Sequence, residues 1–243
     1  MGGILRRIKS IAMIGEKVQA VRDRIAEAAA RAGRDPVSVR LLAVSKTHPA
    51  GRVEEAVRAG LAAFGENYVQ EALEKMDALA ARNLEWHLIG PLQSNKTRVV
   101  AERFDWVQTV DREKIARRLS AARPESRGPL QVLVQVNVSG EASQSGIAPA
   151  EAPALARAVA AMPRLRLRGL MAIPEPTDDV ALQRARFREV RELYEGLKAE
   201  GMPLDTLSLG MTADMDAAIA EGSTMVRVGT AIFGAREKAR DAA

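Results

Sequence analysis

Cysteine is absent from the chain, which excludes disulfides, thiolate nucleophiles and cysteine-ligated zinc. Histidine is nearly as scarce: His48 and His87 are the only two, too few for a histidine-rich metal centre. With 3% aromatic residues there is little material for base-stacking platforms. Arg and Lys exceed Asp and Glu, 36 against 31 for a net charge of +5. They are spread along helical stretches rather than gathered in one block, so the charge reads as a solvated surface and nucleic acid is not an expected partner. No apolar run reaches membrane-spanning length. Met1 to Lys17 lacks an uninterrupted apolar core and a small-residue cleavage site, and Arg6 stands where a myristoylation signal has serine or threonine. The expectation is a cytoplasmic protein with no membrane partner. No linker rich in proline, serine or glycine divides the 243 residues, so one domain over 1–243 is expected.

What is present is a repeating pattern. Val18, Val21, Ile25 and Ala28 fall at helical spacing and Gly33 supplies a stop, predicting a helix over about residues 16–33 before the first strand. Val39 to Val44 is apolar at successive rather than alternating positions, the habit of a parallel strand covered on both faces. Further strands are predicted at Leu61–Phe64, Leu84–Ile89, Trp106–Val110, Leu130–Val138, Leu165–Ile173, Thr206–Leu209 and Thr224–Val228, with helices between them. Tyr194 falls on the apolar stripe of one such helix, with Phe187, Val190 and Leu197, and reads as core. Eight strands alternating with helices favour a single (β/α)8 TIM barrel over an open doubly wound sheet.

Lys46 stands at the carboxyl end of the first strand. In a parallel barrel that end faces the site, where partial desolvation disfavours the charged amine and favours the form that attacks a carbonyl. Alone, Lys46 reads rather as a solvated lysine capping a strand, since lysines are mostly exposed. The tail adds two strand-turn-helix segments, Leu207-Ser208-Leu209-Gly210-Met211-Thr212 and Val226-Arg227-Val228-Gly229-Thr230. Small residues and hydroxyls at helix starts suit a phosphate, although Thr212 could be an N-cap and Asp214 and Asp216 would repel an anion unless they face solvent. Together with the strand-end lysine these turns describe a site for a phosphorylated aldehyde, of which pyridoxal 5′-phosphate is one.

The chain resembles the YggS/PROSC family of pyridoxal phosphate homeostasis proteins, related to the barrel domain of bacterial alanine racemases. The resemblance is carried by Ala43-Val44-Ser45-Lys46, Phe64-Gly65-Glu66-Asn67-Tyr68, the run from His87 to Lys96, Gly169-Leu170-Met171 and the two tail segments. It implies an alanine racemase N-terminal-domain-like barrel without the β-domain, and pyridoxal phosphate held as a Schiff base on Lys46. It further implies phosphate contacts from Ser208, Gly229 and Thr230, Arg227 at the pyridine nitrogen and Asn67 flanking the ring. Asn67 could equally cap the next helix, and His87 reads as a core residue. Family members often have a lysine in the Ser-x-Ser-Gly turn after the fifth strand, where this chain has Gln144.

A guanidinium only donates, so Arg227 would leave the pyridine nitrogen unprotonated and weaken the electron sink. The expected role is therefore to hold and deliver the cofactor, with no dedicated reaction, to apo forms of pyridoxal-phosphate enzymes. A monomer is expected rather than an obligate dimer. The alternatives are a small amino-acid racemase and a barrel aldolase using Lys46 on a sugar phosphate.

Overall fold

The computed structural model describes residues 2–140 and 145–235, those from 2 to 10 by backbone only. Gln144 lies outside the described residues. Eight parallel strands close into a barrel in chain order, β1 pairing with β8. The strands are β1 (Arg40–Val44), β2 (Ala63–Glu66), β3 (Glu85–Leu88), β4 (Trp106–Val110), β5 (Leu130–Val136), β6 (Leu165–Ala172), β7 (Thr206–Ser208) and β8 (Met225–Val228). Helices α1 (Gly2–Arg31), α2 (Ala50–Arg58), α3 (Val69–Ala78), α4 (Thr97–Arg103), α5 (Glu113–Ala122), α6 (Ala152–Ala160), α7 (Val180–Ala199), α8 (Met215–Ala220) and α9 (Thr230–Phe233) surround it.

The expected elements are present, with shifts that have local causes. The first helix begins at Gly2 rather than near residue 16. Its buried stripe, Ile14, Val18, Val21, Ile25 and Ala28, joins the core around the barrel. The second strand runs two residues later than the apolar pattern suggests. The Leu61 amide still bonds the carbonyl of Ala56 at 3.1 Å, after the left-handed turn at Gly60, so Leu61 belongs to the end of α2 and Glu66 becomes the last residue of β2.

Between β5 and β6 the register slips: Val132 pairs with Leu167 but Leu133 pairs with Gly169, leaving Arg168 as the extra residue of a bulge. Gly169 has φ of 150°, and a Cβ there would lie 1.8 Å from the carbonyl oxygen of Thr206. Glycine is required at that position because β7 passes too close for any side chain.

Most of the apolar core lies between strands and helices. The barrel interior is different. It holds two small apolar clusters, Leu42, Val44, Ala63, Ile89 and Met225 in one, and Trp106, Leu133 and Met171 in the other. Buried with them are the polar side chains of His87, Gln108, Ser208 and Arg227. Such groups persist inside a barrel only when they bond one another.

Candidate functional site

Lys46 lies two residues beyond β1, half-buried at the carboxyl rim. Its backbone is fixed on both flanks by side chains from α3. On one side, Lys75 donates to the Ser45 carbonyl at 2.7 Å. On the other, the Thr47 amide donates to Glu71 Oε1 at 2.5 Å. Thr47 itself has φ of 65°, a left-handed conformation that a β-branched residue adopts only when its surroundings impose it. The same Lys75 ammonium also donates to Glu66 Oε1 at 2.7 Å and Glu71 Oε1 at 2.6 Å. An ammonium has three N–H groups, and all of those on Lys75 are engaged in this buried cluster.

Glu66 is fully buried and also accepts from the Ser45 hydroxyl at 2.5 Å. Burial raises its pKa, and the charge and bond of Lys75 only partly offset that. Its second oxygen, Oε2, has no bonding partner among the described residues, and neither has Oδ1 of the adjacent Asn67. Asn67 does not cap α3: the N-cap is Tyr68, and it makes no side-chain capping bond. The position of Asn67 depends on Gly90 after β3, where a Cβ would sit 2.2 Å from the Asn67 carbonyl oxygen. That contact explains a glycine in the run from His87 to Lys96.

Arg227, on β8, is 2% exposed. It donates to the carbonyl and hydroxyl oxygens of Ser208 at 2.7 and 2.6 Å, and to the Ala172 carbonyl at 2.8 Å. None of these acceptors is a carboxylate, and desolvation pushes the guanidinium down to about 10. It remains protonated at neutral pH. Ser208, fully buried at the end of β7, donates a hydrogen bond from its hydroxyl to Gln108 Oε1 at 2.7 Å. Gln108 Nε2 in turn meets His87 Nδ1 at 2.9 Å, and His87 Nε2 bonds Glu85. His87 stacks on Trp106 with centroids 5.0 Å apart, and burial lowers its pKa. It serves the barrel interior, as its sequence setting suggests.

Gly229 is the residue between β8 and α9, and Thr230, exposed, opens α9. The first amides of a helix have no carbonyl of their own helix to bond. Of the two acids that could repel an anion, Asp216 is drawn off by Arg24 and Arg31 of α1, at 3.1 and 3.3 Å. Asp214 accepts from the Met211 amide at 2.6 Å. Thr212 is not an N-cap, since α8 begins only at Met215. The structure thus gathers Lys46, Asn67, Ser208, Arg227, Gly229 and Thr230 at the carboxyl ends of β1, β2, β7 and β8, the end where barrels build their sites. Sequence reasoning did not find Lys75, Glu71 or Gln108. The signal for Gln108 was available, an amide inside the apolar strand Trp106–Val110. Lys75 reads in sequence as an ordinary helix-surface lysine.

The residues fit a pyridoxal phosphate. A donor-only guanidinium suits a ring nitrogen that accepts, and the unpartnered Asn67 oxygen is a buried acceptor awaiting a donor.

Comparison with known proteins identifies the family. Residues 17–237 match the family described as alanine racemase, N-terminal domain. The pyridoxal phosphate homeostasis protein of Pseudomonas aeruginosa is 61% identical over 92% of this chain and 96% of its own length. That of Escherichia coli K12 is 56% identical over 92% of this chain and 97% of its own. The structure of PipY from Synechococcus elongatus with pyridoxal phosphate bound is 36% identical, with a TM-score of 0.79 over 91% of this chain and all of that one. Alanine racemase of Clostridium difficile, 14% identical with a TM-score of 0.68, shares the fold over 83% of this chain and 54% of its own. The chain therefore belongs to the pyridoxal phosphate homeostasis proteins, built on the alanine racemase N-terminal domain.

Proposed function

We propose that this protein binds pyridoxal 5′-phosphate, held covalently by Lys46, and serves cytoplasmic homeostasis of that cofactor by keeping and delivering it. The observation that carries this reading is Arg227: a positive charge buried at the mouth of the barrel that, among the described residues, bonds no carboxylate and has only Asp214 near enough to stabilise its charge. A buried charge left so is costly, and an electron-rich ligand above it offsets the cost. When bound, the cofactor supplies an aldehyde carbon for an amine and a ring that withdraws electrons.

The chain's own residues bind and orient. Lys46 provides the amine, on a turn that Lys75 and Glu71 hold from both sides. Arg227 would donate to the pyridine nitrogen and would leave it unprotonated, which favours holding over carbanion chemistry. Asn67 flanks the ring. Gly229, Thr230 and Ser208 would hold the phosphate, the last through a hydroxyl that bonds Gln108 in this structure. Delivery goes to apo forms of pyridoxal-phosphate enzymes, from a monomer.

Lys46→Ala tests the covalent hold. The expected result is loss of the near-visible absorbance of the bound cofactor, with weaker phosphate-dependent binding retained. Persistence of that absorbance would refute the role of Lys46. The homeostatic role is tested on the wild-type holo-protein, which is expected to activate an apo-enzyme while exchanging the α-hydrogen of amino acids with solvent deuterium negligibly. Exchange at about 1 s⁻¹ or faster, a rate typical of enzymes, would replace the carrier reading with racemase chemistry.

A further inference from the structure

The amino-terminal face of the barrel, at the opposite end of the strands from Lys46, carries a cavity of about 620 Å³ that the cofactor reading does not use. Five arginines line it: Arg40, Arg123, Arg127, Arg166 and Arg168. Arginine–acid pairs at this end of a barrel ordinarily tie its loops together, and three of the five do so. Arg40 pairs with Glu85 at 2.8 Å and Arg127 with Asp105 at 2.9 Å. Arg168 grips Asp205 with two bonds of 2.8 and 2.6 Å and lies 4.8 Å from the centre of the Trp106 ring.

Among the described residues the other two bond no carboxylate. Arg123, 3% exposed, donates only to carbonyls, those of Gly128, Ala101, Phe104 and Arg127. A guanidinium has five N–H groups, so one remains. Arg166, the second residue of β6, is exposed, with no hydrogen bond or salt bridge among the described residues. Asp205 is near enough to feel its charge, but Arg168 already occupies both Asp205 oxygens. Of the acids, only Glu85 and Asp105 line the cavity, against five arginines. A concave wall of one dominant sign concentrates counter-ions.

We propose that this cavity is an anion site for a compact molecule carrying two or more acid groups, phosphate or carboxylate, bound chiefly by Arg166 and the remaining N–H of Arg123. The absence of lysine among the lining cations fits this chemistry, because the guanidinium fork matches a phosphate or carboxylate through two parallel bonds. The volume suits a small metabolite.

The test is calorimetric titration of the full chain with inorganic pyrophosphate and, separately, citrate, against sodium chloride of matched ionic strength. Each titration is done with and without saturating pyridoxal phosphate, so that the cofactor's own phosphate turns are filled in one arm. The expected result is saturable binding of at least one probe at one site, unaffected by the cofactor. Pyrophosphate as the tighter probe assigns a phosphate ligand, citrate a polycarboxylate. Arg166→Glu should weaken the affinity at least tenfold and Asn83→Asp, an exposed isosteric change on the same lining, several-fold. Both should leave the far-ultraviolet spectrum and cofactor absorbance unchanged. Heat reproduced by matched chloride, affinity within twofold after Arg166→Glu, or loss of binding when the cofactor is saturating would each overturn the site.

Discussion

A hydroxyl has a single proton to donate, and at Ser208 that proton goes to Gln108 while the oxygen accepts from Arg227. Thr230, by contrast, stands exposed at the start of α9. Replacing both with alanine should weaken pyridoxal phosphate by about five- to 150-fold, from two neutral bonds of about 0.5–1.5 kcal/mol each. Binding of unphosphorylated pyridoxal should change little, and equal losses for the two ligands would remove these hydroxyls from the phosphate. Beneath Lys46 the balance is one of charge. Among the described residues Lys75 is the only cation bonded to Glu66, which is wholly buried. Lys75→Met should therefore cost about 3–5 kcal/mol at pH 7, the range for breaking a buried pair. Burial already holds the Glu66 pKa above its usual value, so the folded state takes up a proton readily, and stability associated with this carboxyl falls as pH rises through that raised pKa. The deficit of Lys75→Met should then shrink as pH falls and Glu66 takes up its proton, and Glu66→Gln should rescue most of it. Urea denaturation at pH 7 and pH 5 measures both; an equal deficit at the two pH values would place the defect elsewhere.

Elements were the most legible level of the chain. A run of successive apolar residues such as Leu41 to Val44 reports a strand covered on both faces, and helical spacing in α7 puts Phe187, Val190, Tyr194 and Leu197 inside, where they are buried. Burial raises the Tyr194 hydroxyl to about 12, as befits core rather than a proton carrier. Lys46 was legible because its strand announces where it ends. Less legible were features that depend on how one element passes another. The clamp on Lys46 comes from α3, and nothing in the spacing of Glu71 and Lys75 distinguishes it from a solvent-facing i,i+4 pair. Gly90 is the same kind of case: its space is filled by the chain leaving β2, which only the closed barrel brings there. Gly90→Ala must push the two strand exits apart, at about 1–3 kcal/mol for overpacking. It should also displace Asn67 and weaken pyridoxal phosphate, without touching Arg227. Denaturant midpoints and a cofactor titration read the two effects, and a variant as stable and as tight-binding as the parent would show that the close approach has no consequence.

On the scale of the whole molecule, a barrel with net charge +5 must neutralise its helical ring locally, and the largest such centre among the described residues is Glu221. Its side chain, 1% exposed, follows α8 and receives Arg184, Arg188 and Arg191 of α7 at 2.7, 3.0 and 3.0 Å. Burial alone would raise this carboxyl, but the three arginines outweigh it and hold its pKa below the ordinary value. A depressed folded pKa means the ionised form stabilises the fold. That contribution is complete above the unfolded pKa of about 4.3 and disappears as pH falls through the lower folded value. The arginines are roughly 36–48% exposed, so solvent screens the pairs and the interaction is worth less than a fully buried one. Glu221→Gln should therefore cost about 1–3 kcal/mol at pH 7, leaving three crowded guanidiniums on one helix face, and the deficit should narrow steadily below about pH 4 as the parent's carboxyl is protonated. High salt should narrow it at pH 7 as well, by screening both the attraction in the parent and the repulsion among arginines in the variant. Thermal unfolding of both proteins from pH 7 to pH 3, at low and high sodium chloride, decides the matter: a deficit independent of pH and of salt would make Glu221 a packing residue rather than the charge that joins α7 to α8.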